Sequence, residues 1–208
     1  MAKIKVAVVD DHAVVRMGLK YALALFPDLT FVGEHSDGDG AREFVLRTRP
    51  DVTLLDIRMP GMNGVEALAE ILAAMPKAKV VMLTTSGTEE DVYRSLKLGA
   101  RGYVMKDSDP RNIVDAIRTV ARGGKFIPED IRARYEARRL LPELTPRELE
   151  AMKLLSRGLS NPEIAAELGV SEDGAKMHLK HAYEKLGAKG RVDAVAIAIR
   201  RGIVDAPA

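Results

Sequence analysis

The sequence predicts two folds in series. The first is an α/β doubly wound, five-stranded parallel sheet; the second is a small all-α four-helix domain built around a helix-turn-helix. Three observations carry this. Residues 1–125 alternate short apolar runs with amphipathic stretches of helical length. The strand pattern stops at Gly123-Gly124, and from Leu144 onward the periodicity is helical. The 208 residues are 47% hydrophobic and 30% charged with a net charge of only +2, a balance that describes a globular chain and not a disordered one.

The strands are read at Ile4–Val9, Thr30–Gly33, Val52–Leu55, Val80–Thr84 and Gly102–Met105, each a short run apolar on both faces, as in a parallel sheet covered by helices. Helical spacing fills 12–25, 38–49, 64–75, 89–98 and 110–122. Five βα units in this length fit an open doubly wound sheet. Residues 126–143 carry Pro128, Pro142 and a mixed-charge segment whose four basic and four acidic side chains cancel; it reads as a helical linker. Thr145-Pro-Arg-Glu148 is a capping box with proline at the first helical position, and Gly158 ends that helix. Ser160 opens a short helix that Gly169 ends, Ser171 opens a third that reaches Gly187, and a last helix covers roughly 190–201. The 160–186 segment has the helix, short glycine turn, helix pattern. The expected division is 1–122, a linker at 123–142, and 143–208.

No cysteine is present, which excludes a disulfide scaffold, thiol catalysis and cysteine-ligated metals. The first apolar run is short and ends in Asp10-Asp11, unlike a secretory leader, and no stretch has the length of a membrane span. A cytoplasmic protein without a membrane partner is the expectation.

Ligands of doubly wound sheets bind outside the carboxyl ends of the strands. Here those ends carry Asp10-Asp11, Asp56, Thr84 and Lys106. Three converging carboxylates repel one another and favour a hard divalent cation such as Mg²⁺. A lysine and a hydroxyl beside them suit phosphoryl oxygens, and a carboxylate can itself accept a phosphoryl group. Each residue alone is more often a turn, cap or surface residue; five in register with their strands are hard to ascribe to turn chemistry.

Residues 1–122 resemble a response-regulator receiver domain, which has a flavodoxin-like fold. Asp10-Asp11 matches the acid pair, Asp56-Ile-Arg-Met-Pro-Gly-Met-Asn-Gly64 the phosphorylation loop, Thr84 and Tyr103 the switch pair, and Lys106 the lysine of the motif. The resemblance implies that Asp56 accepts phosphate from a cognate histidine kinase. It implies that Asp10, Asp11, Asp56 and the Arg58 backbone carbonyl serve Mg²⁺, with Asp10 acting mainly through water. Lys106 would pair with phosphoryl oxygens, Thr84 would move to bond them, and Tyr103 would rotate inward behind it. Asp107 stands where the family often has proline. A rival reading is a Mg²⁺-dependent phosphohydrolase with an aspartate nucleophile; such enzymes carry an acid two residues after the nucleophile, where this chain has Arg58. The expectation is a phosphoacceptor, not an enzyme beyond self-phosphorylation and autodephosphorylation.

The net charge of +2 conceals a basic region. Residues 176–201 hold seven basic side chains against Glu184 and Asp193. Lys176 and Lys180 are four apart and share a helix face. Phosphate contacts supply non-specific DNA affinity and base contacts supply sequence choice. Residues 144–205 resemble the LuxR/NarL-type DNA-binding domain, through Leu144–Glu148, Gly158–Asn161, Glu163–Ala165, and Ser171, Glu172, Lys176, His178 and Lys185–Gly187. The resemblance implies that Lys176, Met177 and Lys180 face bases, and makes Ser160, Asn161, Ser171, His178 and Lys185 candidate backbone contacts. Val192, Val195 and Ile199 resemble a dimer face, with packing inside the domain as the alternative. Pro162 replaces a common lysine, and Gly174-Ala175 a common Thr-Val, which implies a less rigid recognition helix.

Together the two halves resemble the NarL/FixJ family of two-component response regulators. The implied partners are the kinase, double-stranded DNA, a second copy when phosphorylated or DNA-bound, and RNA polymerase. The competing reading is a signalling adaptor whose output domain binds protein.

Overall fold

A computed structural model describes residues 3–85 and 88–204. Two compact units emerge: Met1–Gly87 with Asp91–Tyr135, and Thr88–Glu90 with Glu136–Ala208.

The first unit contains β1 (Ile4–Val9), α1 (Ala13–Ala24), β2 (Leu29–His35), α2 (Ala41–Thr48), β3 (Val52–Asp56), α3 (Gly64–Ala74), β4 (Val80–Thr84), α4 (Glu89–Leu98), β5 (Gly102–Met105) and α5 (Pro110–Ala121). All strand pairs are parallel, in the order β2-β1-β3-β4-β5. This is the doubly wound sheet that the apolar runs predict. β3 and β4 are buried along their whole length, so they alternate little between polar and apolar. β2 runs longer than its apolar stretch, from Leu29 to His35, because pairing with β1 continues through Glu34 and His35 after a register shift at Val6/Ala7. Each sheet face has its own core. Leu19 and Leu23 of α1 and Ile113, Val114 and Ile117 of α5 pack on one; Phe44 of α2, Val65, Leu68 and Ile71 of α3 and Val92 of α4 pack on the other.

After α5 the chain returns along β5. Tyr103 N donates to the Phe126 carbonyl at 2.9 Å, and Phe126 N to the Arg101 carbonyl at 2.9 Å. α6 (Glu129–Arg139) follows. It is mostly charged, yet Ile131 is buried in the same core as Tyr103, and the Tyr135 ring stacks on Tyr93 at 5.8 Å. Residues 126–135, within the segment assigned to the linker, thus pack as part of the first unit.

The second unit holds α7 (Pro146–Ser156), α8 (Asn161–Leu168), α9 (Glu172–Leu186) and α10 (Arg191–Arg201) around one core that includes Met152, Ile164, Leu179 and Ile197. The Thr145–Glu148 capping box forms in both directions, at 3.3 and 2.8 Å. Gly169 adopts φ +65° in the turn between α8 and α9, a left-handed conformation that other residues rarely take. No helix among the described residues is long and apolar enough to cross a membrane.

Candidate functional site

The parallel sheet brings four strand ends to one edge. β1 runs into Asp10, β3 ends at Asp56, β4 at Thr84, and β5 leads into Lys106. Asp56 lies in register with Leu83, so Thr84 is the next residue along the neighbouring strand; Lys106 N donates to the Thr84 carbonyl at 2.7 Å. Asp10, Asp56 and Thr84 are buried.

The Lys106 ammonium sits between two of the acids, 2.8 Å from Asp10 Oδ2 and 2.7 Å from Asp56 Oδ2. Both contacts are ion pairs rather than well-angled hydrogen bonds. Burial pushes the Asp56 carboxyl above its ordinary value; Lys106 offsets part of this, and the Asp10 charge adds to it. For Lys106, burial opposes the charge, but its contacts with Asp10 and Asp56 outweigh that and hold the ammonium above its ordinary value. One ammonium against three carboxylates leaves the edge negative; Thr84 Oγ1 is buried without a hydrogen-bond partner among the described residues, and Asp11 Oδ1 is met by the His12 ring alone. Such a donor set fits a hard divalent cation, which neutralises carboxylates and accepts oxygen ligands.

The loop after β3 packs closely against the Asp56 backbone. Gly64, at the start of α3, packs so closely that a Cβ there would lie 1.8 Å from the Asp56 carbonyl oxygen, so no side chain fits. Asn63 caps α3, accepting from Val65 N and Glu66 N at 3.0 Å each, and Glu66 accepts a bond from Asn63 N. Arg58 N donates to Asp56 Oδ1 at 3.3 Å. The Arg58 guanidinium reaches away, to Asp91 Oδ2 on α4 at 2.7 Å.

Tyr103 lies fully buried on β5, its hydroxyl unpartnered among the described residues, and burial followed by the Asp91 charge pushes its phenol well up. Two residues that sequence reasoning passed over join this region. His12 stands beside the acids, Nδ1 2.6 Å from Asp11 Oδ1 and 3.4 Å from Asp10 Oδ1. Asp91 anchors Arg58. An exposed histidine after two aspartates has no periodic signature, and Arg58–Asp91 spans 33 residues, so only the fold joins them.

The second unit has a different electrostatic character. Lys176, Met177 and Lys180 of α9 are exposed and share one face; Asn161, Tyr183 and Ala188 line the same groove as the two lysines. Each lysine meets a neighbouring acid: Lys176 Nζ lies 2.9 Å from Glu172 and 3.8 Å from Asp173, and Lys180 Nζ 4.0 Å from Glu184. Ser171 Oγ caps α9 by accepting from Gly174 N at 3.1 Å, and Ser160 Oγ donates to Glu163 at 2.7 Å. His178 is half-buried. Lys185 leans inward, donating to the buried Glu148 carboxylate at 2.7 Å. Burial raises the Glu148 carboxyl, but Lys185 and the Thr145 backbone outweigh it and hold it below its ordinary value. On α10, Val192 is exposed, whereas Val195 and Ile199 pack partly on the domain core.

Two family models match the chain, one in each part. Residues 6–118 match the response regulator receiver domain, and residues 142–198 match the bacterial regulatory proteins of the luxR family. The chain is 41% identical to the transcriptional regulatory protein YxjL of Bacillus subtilis (strain 168), covering 97% of this chain and 98% of that one. It is 37% identical to the nitrate/nitrite response regulator NarL of Escherichia coli (strain K12), over 91% and 92%. Among solved structures, the complex of the two-component response regulator RcsB with DNA is similar at a TM-score of 0.65 and 26% identity, covering 94% of this chain and 97% of RcsB. Sheet order, strand-end acids, helix-turn-helix and both family matches converge: the chain belongs to the two-component response regulators that join a receiver domain to a LuxR-type DNA-binding domain.

Proposed function

We propose that phosphorylation of Asp56 by a histidine kinase controls sequence-specific DNA binding by α8 and α9, and through it transcription. The observation that carries this reading is the Lys106 ammonium set between Asp10 and Asp56 at a buried strand edge that retains excess negative charge. The Asp56 carboxylate attacks the phosphorus of the kinase phosphohistidine. The N–P bond breaks, the imidazole leaves, and an aspartyl phosphate forms. Lys106 is placed to pair with the incoming oxygens. Asp10, Asp11 and Asp56 with the Arg58 carbonyl would hold Mg²⁺, which supplies positive charge to the phosphoryl group. Thr84, buried with a hydroxyl that has no partner among the described residues, would bond that group, and Tyr103 would follow it. Such a switch works only if phosphate interacts differently with two populations.

A phosphoacceptor fits better than a phosphohydrolase. The residue two after Asp56 is an arginine engaged with Asp91, and no general acid stands there. For DNA, exposed Lys176, Met177 and Lys180 would reach base edges, with Ser160, Asn161, Ser171, His178 and Lys185 towards the backbone. The acids beside the lysines favour an exchange of carboxylate for phosphate partners. Dimerisation is supported by exposed apolar side chains: Val192 on α10, and Val14, Met17, Tyr21 and Leu25 along one face of α1 and its C-cap. The division at 1–122, 123–142 and 143–208 is read with these roles, residues 126–135 of the middle segment packing with the receiver, and a cytoplasmic location with RNA polymerase as a downstream partner accords with a kinase donor and a DNA target.

Genome-wide selection of DNA by the purified protein, with and without a small phosphodonor, tests the reading. A common inverted-repeat motif enriched by the phosphodonor is expected. Absence of any enriched DNA would favour the adaptor reading.

A further inference from the structure

Beside the groove that holds Lys176 and Lys180 stands a cation without a counter-ion. We propose that Arg191, the first residue of α10, contacts a backbone phosphate of double-stranded DNA through its guanidinium. The proposal rests on the reading of the second unit as DNA-binding and adds a phosphate contact to it.

Two contacts place Arg191 at this groove. Its Nη2 donates to the Leu159 carbonyl, in the turn that leads into Ser160 and Asn161 at the start of α8. Its charge also reaches Tyr183 on α9: burial pushes the Tyr183 phenol up, and Arg191 offsets part of that. Asn161 and Tyr183 line the groove together with Lys176 and Lys180. The guanidinium is therefore tied to the α7–α8 turn while standing close to the helix that carries the two lysines.

Local structure gives no reason for an arginine here. Arg191 is exposed at the first position of α10, where the positive end of the helix dipole opposes a cation. The acid of the first turn, Asp193, accepts instead from Lys189 N at 2.8 Å. Lys176, Lys180 and Lys185 each have a carboxylate within 4.0 Å, whereas Arg191 has no ion pair among the described residues. A side chain that breaks a local rule without a compensating contact marks a functional position.

The chemistry follows from the shape of the group. A guanidinium has five N–H donors, and the Leu159 carbonyl takes one. The remaining donors match phosphate oxygens, and the bond to Leu159 restricts the side chain before DNA arrives. Arg191 would thus fix the phosphate that borders the bases read by Lys176 and Lys180, setting position rather than sequence.

The test uses the full-length protein and one operator that it selects, titrated with salt. Arg191→Gln keeps an N–H donor for the Leu159 carbonyl and removes the charge; Arg191→Lys keeps the charge. Arg191→Gln should reduce the salt slope by about one for each bound subunit and weaken binding on the order of tenfold per subunit near ~0.1 M salt. Arg191→Lys should keep the slope. Ethylation of one phosphate in each half-site should hinder wild type and leave Arg191→Gln unaffected. Arg191 is exposed, so both variants should fold, and circular dichroism checks this. An unchanged slope in Arg191→Gln overturns the proposal and leaves the DNA reading standing; if affinity falls at that unchanged slope, Arg191 is a positioning residue for α8. A slope that falls as far in Arg191→Lys also overturns it. Wild-type protein that binds no DNA overturns both.

Discussion

The receiver and the helix-turn-helix unit each set a lysine against buried carboxylate, with opposite outcomes. In the second unit, Lys185 and Glu148 form a balanced pair, and Glu148 is further satisfied by the Thr145 capping bonds. In the receiver, Lys106 faces Asp10 and Asp56 with Asp11 close by, and several oxygens on this edge lack a hydrogen bond among the described residues. A balanced pair holds helices together; an unbalanced cluster is held by the fold for something still to arrive. The exposed charges contrast in the same way. Lys176 and Lys180 of α9 already meet acids one turn away, so on the proposed reading DNA would displace weak, solvent-screened partners, at little cost.

Removing the acceptor should separate the two regions most sharply. Asp56→Asn should abolish labelling by a small phosphodonor while leaving the second unit intact; labelling retained on another residue would refute the assignment. Next in size is Lys106→Met, which strands two buried carboxylates. A stability loss of about 3 kcal/mol in urea denaturation is expected. An unchanged midpoint would mean that solvent, not Lys106, balances the cluster.

On the DNA side, Lys176→Ala or Lys180→Ala should weaken operator binding by about 1–3 kcal/mol if the lysine reads a base, and should reduce the salt slope by about one if it meets a phosphate. No change in either would remove that residue from the interface. Lys185→Met should act on stability as well as on the proposed backbone contact, by about 1–2 kcal/mol in stability, because it leaves Glu148 buried without its partner. The Glu148 carboxyl titrates lower folded than unfolded, so its contribution is complete above its ordinary value of 4.5 and is lost as pH falls through the folded value. The pH dependence of unfolding between neutral and acid conditions should therefore be shallower in Lys185→Met. A DNA defect with no stability loss would make the Glu148 pair energetically idle and leave Lys185 as a backbone contact alone.

The strand ends were legible in the sequence because fully buried strands announce themselves as apolar runs, and the first polar residue after each run is then the edge residue. Asp10, Asp56, Thr84 and Lys106 all follow from that rule. The capping residues Thr145 and Glu148 were equally plain, since capping depends on a four-residue spacing. What escaped was long-range. Glu148 and Lys185 are 37 residues apart, and each has a local explanation that hides the pair. Ile131 is a lone apolar residue in a charged helix, and its burial depends on the chain returning along β5 at Phe126. His12 shows only as a neighbour of two acids until the fold sets its ring against both.

The central claim is that the unbalanced receiver edge governs the DNA-binding face. Salt-titrated affinity of the full-length protein for one selected operator, with and without phosphodonor, tests it most directly. The account predicts tighter binding with the phosphodonor, a steep loss of affinity with salt in both states, and no response to phosphodonor in Asp56→Asn. Equal affinity of phosphorylated and unphosphorylated wild type would contradict it.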